Sequence, residues 1–206
     1  MSMELVIAST NPHKIREFKS MFKHHSQYDI RSLLDFPTYT PPPETETSFE
    51  ANAKAKAIHA ATSLNRWALA DDSGLVVPAL GGAPGVHSAR FAGEHATDLD
   101  NRKKLLHLMQ HLLDEDRHAY FECCIALASP KGDVKCAHGI CEGTLLSKER
   151  GGGGFGYDPL FIKDGYRITF AELEESIKNR VSHRRKAFDK ILPFLDSIAK
   201  SSSPVL

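Results

Sequence analysis

Neither sign of charge is in excess. Lys and Arg number 26 and so do Asp and Glu, so no global basic field exists to hold nucleic acid by counterion release. Any phosphate site must be local. Cysteine is scarce as well: Cys123, Cys124, Cys136 and Cys141 contain no CxxC pair, which argues against zinc and leaves reduced, mostly buried thiols as the expectation. His107 and His111 stand four apart on a predicted helix without a third ligand, and read as solvated helix residues. No apolar run is long enough to span a bilayer, and residues 1–9 show neither a basic leader nor a cleavage signal. The expectation is a cytoplasmic chain with no membrane and no nucleic-acid partner.

What is present suits one enzyme domain over residues 1–206, with 41% hydrophobic residues to build a core. Residues 5–8 read as a strand feeding a helix that Asn11 caps and Pro12 opens, with Ile15, Phe18 and Phe22 on one face. A second strand is expected over 29–33, then a proline-rich surface loop over 37–43. Thr47 and Glu50 suggest a capping box for an alanine-rich helix to about residue 62. Residues 67–70 predict a buried strand that ends at Asp71 and Asp72, with Leu75 to Val77 extended after it. Thr97 opens a helix expected to reach Leu113, and residues 120–128 and 134–146 suggest an antiparallel hairpin. A short strand over 160–162 and a helix behind Ser182, bent at Pro193, complete an α/β pattern with a mixed sheet.

Three places could carry chemistry. Ser9, Thr10, Asn11, Pro12, His13 and Lys14 occupy a strand-to-helix turn, where backbone N–H groups, the helix dipole and the lysine attract phosphate. An ordinary capped helix with a solvated lysine is the plain alternative. Asp71 and Asp72 close a strand, where α/β ligand sites lie, and one or two carboxylates plus substrate phosphates hold Mg²⁺. Turn chemistry alone would also explain Asp-Asp-Ser-Gly. Glu44, Glu46 and Glu50 compete to supply a second metal carboxylate. Gly151, Gly153 and Gly156 fit GxGxxG by letter, yet a strand follows instead of a helix, so the dinucleotide reading fails. A hinge presenting Phe155 and Tyr157 to a nucleobase suits the segment better, and Lys178, His183 and Arg184 add donors.

Taken together, Ser9 to Lys14, Ser48-Phe49-Glu50-Ala51-Asn52-Ala53, Ala70-Asp71-Asp72-Ser73-Gly74, Leu80-Gly81-Gly82-Ala83-Pro84-Gly85, Ser88-Ala89-Arg90, Phe155-Gly156-Tyr157-Asp158-Pro159 and Ser182-His183-Arg184 resemble the inosine triphosphate pyrophosphatase family. The match runs over nearly the whole chain, although Thr10 stands where glycine is common and Arg185 where glycine is usual. The resemblance implies a homodimer with a long curved mixed β-sheet flanked by helices, in two lobes with a central cleft. It implies hydrolysis of ITP, dITP or XTP to the monophosphate and pyrophosphate with Mg²⁺. By position it implies Asp72 as proton acceptor and metal ligand with Glu44 assisting. Ser9, Thr10, Asn11, Pro12, His13, Lys14, Lys56 and Ser73 would hold phosphates and sugar, and Phe155, Gly156, Tyr157, Asp158, Lys178, His183 and Arg184 the base. A pyrophosphatase for other modified nucleotides and a non-catalytic nucleotide sensor are the alternatives.

Overall fold

Met3–Ile7 (β1) buries Leu5, Val6 and Ile7 completely, as a strand covered on both faces must. The computed structural model describes residues 2–201. Helix Pro12–Phe22 (α1) follows, and the Asn11 side chain accepts from the backbone N–H groups of His13 and Lys14. Its buried stripe is Ile15, Phe18, Met21 and Phe22 at helical spacing. Tyr28–Ser32 (β2) then pairs parallel to β1.

Helix Phe49–Leu64 (α2) starts one residue later than the capping box required. Ser48, not Thr47, is the cap, and its side chain accepts from Ala51 N–H. Small buried residues, Ala53, Ala57, Ala60 and Ala61, line one face. Trp67–Val76 (β3) is continuous through Asp71 and Asp72, contrary to the expectation that the strand ends there. The reason is electrostatic: cations meet both carboxylates inside the structure, so no turn is needed to carry them to water.

Asp98–Leu108 (α3) has a Thr97–Asp100 capping box and stops short of the expected Leu113. His118–Ala128 (β4) and Val134–Leu145 (β5) are neighbours joined by a turn too tight for anything but an antiparallel pair. Phe161–Lys163 (β6) pairs antiparallel to β5, and Glu175–Val181 (α4) and His183–Ser201 (α5) complete the described residues, with Pro193 inside α5. The sheet order β2-β1-β3-β4-β5-β6 combines parallel β2, β1 and β3 with antiparallel β5 and β6. The fold is therefore α/β with a mixed sheet.

Two compact units divide the chain. The first comprises residues up to Asp72, Cys123–Gly139 and those from Arg184 on, around a core of Leu5, Phe18, Phe22, Leu69, Ile125 and Phe188. Phe22 meets Phe188 edge to face at 4.9 Å, which locks α1 to α5. The second comprises Ser73–Glu122 and Ile140–His183, around Leu75, Leu105, Phe121, Leu145, Phe161 and Phe170. There the buried Arg117 donates to the carbonyls of Leu145, Leu146 and Met109 at 2.8, 2.8 and 3.1 Å. Among the described residues no helix is long and apolar enough to cross a membrane.

Candidate functional site

Parallel pairing of β1 with β3, in which Ile7 lies beside Leu69, carries the β1–α1 turn to the level of Asp71. Ala8 N–H extends the ladder to Leu69 O at 2.7 Å, and one turn into α1 Lys14 Nζ reaches Asp71 Oδ2 at 3.0 Å. Ser9 Oγ accepts from Asn11 N–H at 3.1 Å, which sets the turn before the cap. Thr10 and Pro12 are exposed, and Ser9 and His13 partly so.

Successive side chains on a strand point to opposite faces, and the two aspartates separate accordingly. Asp71 faces α1 and α5. Arg184 Nε and Nη2 donate to its Oδ2 at 3.1 and 2.9 Å, and another Arg184 nitrogen pairs with Glu17. All three are buried, with Arg184 only 1% exposed. Burial pushes the Asp71 carboxyl up, but Arg184, Lys14 and Lys56 outweigh it and hold the group well below the usual carboxylate range.

Asp72 faces α2 instead. Its Oδ2 accepts from Asn52 Nδ2 at 3.0 Å and its Oδ1 from Lys56 Nζ at 3.3 Å. Asn52 and Lys56 lie four apart on one helix face, the spacing that lets two side chains meet one partner. Lys56 also donates to Glu44 Oε1 at 2.7 Å, so two carboxylates converge on one ammonium. Burial raises the Asp72 pKa above the ordinary value, more than Lys56 and Lys14 lower it. Glu50 is engaged elsewhere, with Lys54 and His138, and Glu46 contributes its backbone to Asn52. Of the three competing glutamates, Glu44 is the one on the ammonium that Asp72 contacts.

The second unit holds the other expected residues. Lys178 Nζ donates to Asp158 Oδ2 at 2.6 Å, both groups nearly buried, and stands 4.6 Å from the Phe155 ring centroid. The same Asp158 oxygen accepts from Phe155 N–H at 2.9 Å. Gly154 sits at φ +71°, and a Cβ there would collide with the Asp158 carboxylate, so the glycine run makes room for this turn. No helix follows it, as expected from sequence. Gly156 N–H donates to Asp98 Oδ2 at 2.6 Å, and Tyr157 O–H to Ser88 O at 2.9 Å. His183 is buried with its ring stacked on Phe121, centroids 4.8 Å apart. Ser73 belongs to this unit, next in sequence to Asp72.

The first unit thus brings together Lys14, Lys56, Glu44 and Asp72, and the second brings together Phe155, Asp158 and Lys178. Sequence reasoning named Arg184 as a base donor; its guanidinium lies in the first unit on Asp71 and Glu17. Glu17 went unnoticed, as did the role of Asn52. The i, i+4 spacing of Asn52 and Lys56 was available as a signal, whereas a glutamate on the core face of α1 reads from sequence as an ordinary helix residue.

A family model described as the Ham1 family matches residues 5–194. A Protochlamydia amoebophila protein named dITP/XTP pyrophosphatase is 57% identical over 197 residues, covering 95% of this chain and 99% of its own. A Chlamydia muridarum protein of the same name is 53% identical over 195 residues, covering 94% and 93%. Among solved structures, a Staphylococcus aureus Ham1 protein superposes with TM-score 0.83 at 39% identity, covering 95% of this chain and 99% of that one. A Coxiella burnetii HAM1 protein gives TM-score 0.85 at 38% identity, covering 95% and 99%. Matched from its first strand into its last helix, and more than half identical to the two pyrophosphatases above, the chain belongs to the Ham1 family.

Proposed function

We propose that this chain hydrolyses non-standard purine nucleoside triphosphates such as dITP, ITP and XTP to the monophosphate and pyrophosphate, with Asp72 as proton acceptor. The observation that carries the reading is the contrast on β3. Asp71 is closed off by Arg184 and Lys14, while Asp72 is oriented by Asn52 and by Lys56, which Glu44 also contacts. A carboxylate oriented in this way can take a proton from water, and such help contributes about 10²–10⁴-fold to rate. Relatives named dITP/XTP pyrophosphatase support the substrate class.

Asp72 and Glu44 fit a divalent cation. They already share one cation, Lys56, and two carboxylates plus substrate phosphates are the donor set Mg²⁺ prefers. When bound, Mg²⁺ would neutralise phosphate charge. Lys14, behind the Asn11-capped start of α1, and Lys56 draw the triphosphate toward Asp72, with Ser9, Thr10, Asn11, Pro12, His13 and Ser73 along its phosphates and sugar. Phe155 stacks on the base. Lys178 donates to its 6-oxo group, with Gly156, Tyr157, Asp158 and His183 shaping the place. Arg184 acts through Asp71 by fixing the strand that presents Asp72. The enzyme works as a homodimer in the cytoplasm, where thiols stay reduced.

The test measures pyrophosphate against orthophosphate from XTP, dITP, GTP and ATP, with and without Mg²⁺. Pyrophosphate from XTP and dITP, lost in Asp72→Asn, is expected. Orthophosphate as the product, or tight triphosphate binding without turnover, would overturn the reading.

A further inference from the structure

Phe155 follows the glycine run 151–154, which has no side chains of its own to hold a conformation. What orients the Phe155 ring must come from outside the run. Phe155 N–H donates to Asp158 Oδ2 at 2.9 Å, and the same oxygen takes the Lys178 ammonium. Upstream, Gly153 N–H donates to Ala171 O at 3.0 Å. Downstream, α3 takes both polar groups of the Gly156 backbone. Gly156 N–H donates to Asp98 Oδ2 at 2.6 Å, and Gly156 O accepts from Arg102 Nη1 at 2.8 Å. Gly156 stands at φ +60° with open space where a Cβ would lie, so no packing holds that face of the turn.

Asp98 and Arg102 are one helical turn apart, the spacing that lets two side chains meet one partner. Arg102 Nε also ion-pairs with Glu149 Oε1 at 3.1 Å, so one guanidinium ties the chain before the glycine run to the chain after it. The helix itself is well anchored. Asn101 is buried, accepts from Ala92 N–H at 2.8 Å and donates to Ala89 O at 3.1 Å, while Lys104 Nζ donates to Phe91 O at 2.6 Å. Leu105 belongs to the core of the same unit. The helix is therefore a fixed arm, and the glycine loop is the part it grips.

We propose that Asp98, with Arg102, is a positioning residue for the nucleobase: by gripping the peptide groups on either side of Gly156 it fixes the direction of the Phe155 ring beside Lys178. The inference rests on the reading of Phe155 and Lys178 as the base site. Asp158 holds the peptide that enters Phe155 and Asp98 holds the peptide that leaves it, so both backbone dihedrals of Phe155 are constrained. The ring then stays where Lys178 Nζ lies 4.6 Å from its centroid. A nucleotide meeting a ring already in place does not have to order it, which raises affinity. Stacking on the base is remote from the phosphorus under attack and is equal in the ground and transition states. Its loss therefore falls on KM and not on kcat. Asp98 is exposed, so its removal costs the fold little.

The test compares full-length wild type, Asp98→Ala, Asp98→Asn and Asp100→Ala by XTP hydrolysis, melting temperature and amide hydrogen exchange. Asp98→Ala should raise KM about tenfold, as the loss of one hydrogen bond to a charged group implies, while kcat stays within about twofold. Exchange across residues 154–157 should quicken in the same variant without nucleotide. Asp98→Asn keeps an acceptor oxygen and should recover most of the KM. Asp100→Ala controls for a merely structural role: it removes the Thr97–Asp100 box, weakening the same helix without touching Gly156, and should leave KM where it is. An unchanged KM or unchanged exchange in Asp98→Ala overturns the proposal, as does an equal rise in Asp100→Ala. A wild type that releases pyrophosphate from XTP beside an unshifted Asp98→Ala overturns this inference alone. A wild type that releases none overturns the functional reading, and the base-positioning role with it.

Discussion

Asp71 and Asp72 are adjacent on β3 yet carry opposite shifts: the first is held well below the ordinary carboxylate pKa and the second is raised. Strand alternation is the cause. It turns one side chain toward Arg184 and Lys14, and the other toward α2, where burial outweighs Lys56 and Asn52. One carboxylate stabilises the fold, while the other costs stability and is available for chemistry.

Replacing Asp72 should therefore separate activity from stability. A folded-state pKa raised above the unfolded value of about 3.9 contributes stability below that value and loses it as pH rises through the folded pKa. At neutral pH the ionised Asp72 is a net cost. Asp72→Asn should lower pyrophosphate release at least about 10²-fold and raise the melting temperature of metal-free protein. A gain of about 1 kcal/mol corresponds to about 2–4 °C at this chain length. Calorimetry beside an activity assay checks both, and a lower melting temperature contradicts the account.

Asp71→Asn should do the reverse. Its folded pKa is depressed, so its stabilisation is full above the unfolded value of about 3.9 and is lost as pH falls toward the folded one. Removing one partner from a buried pair costs about 3–5 kcal/mol. The wild-type advantage in melting temperature should be large at pH 7 and shrink on acidification below the unfolded value. A gap unchanged across that range would show that Asp71 acts by packing and not by charge.

How much of this was legible depended on whether a signal was local. The Asn11 cap, the stripe of α1 and the β4–β5 hairpin follow from neighbouring residues, and sequence reasoning found them. The end of β3 did not follow, because Asp71 is stabilised by Arg184, 113 positions away in the chain. Without that partner Asp-Asp-Ser-Gly reads as a turn; with it the strand continues. Arg184 was noticed for its donors, but its placement on Glu17 and Asp71 depends on how α1 and α5 pack, which no local pattern encodes.

Glu44 is the glutamate that shares Lys56 with Asp72. Glu44→Gln should raise the Mg²⁺ concentration needed for half-maximal turnover, with little loss of kcat at saturating Mg²⁺. Glu46→Gln should leave the Mg²⁺ dependence unchanged. A titration in which Glu46→Gln shifts and Glu44→Gln does not would reassign the second carboxylate.

Lys178 offers the sharpest test of base selectivity. Its ammonium, a three-donor group, donates to Asp158 and stands beside the Phe155 ring, where the proposed base would meet it. A 6-oxo purine supplies an acceptor there, whereas adenine presents an amino group that would leave the ammonium unpaired, and sites built on such donors discriminate strongly. Lys178→Met should therefore reduce the kcat/KM ratio of XTP over ATP by at least about tenfold, the value of one lost hydrogen bond to a charged group. The single change also strands the buried Asp158 carboxylate, which lowers stability. Lys178→Met combined with Asp158→Asn removes that charge. If the double variant recovers its melting temperature but not its selectivity, Lys178 reads the base; if selectivity returns with stability, the lysine only supports the loop.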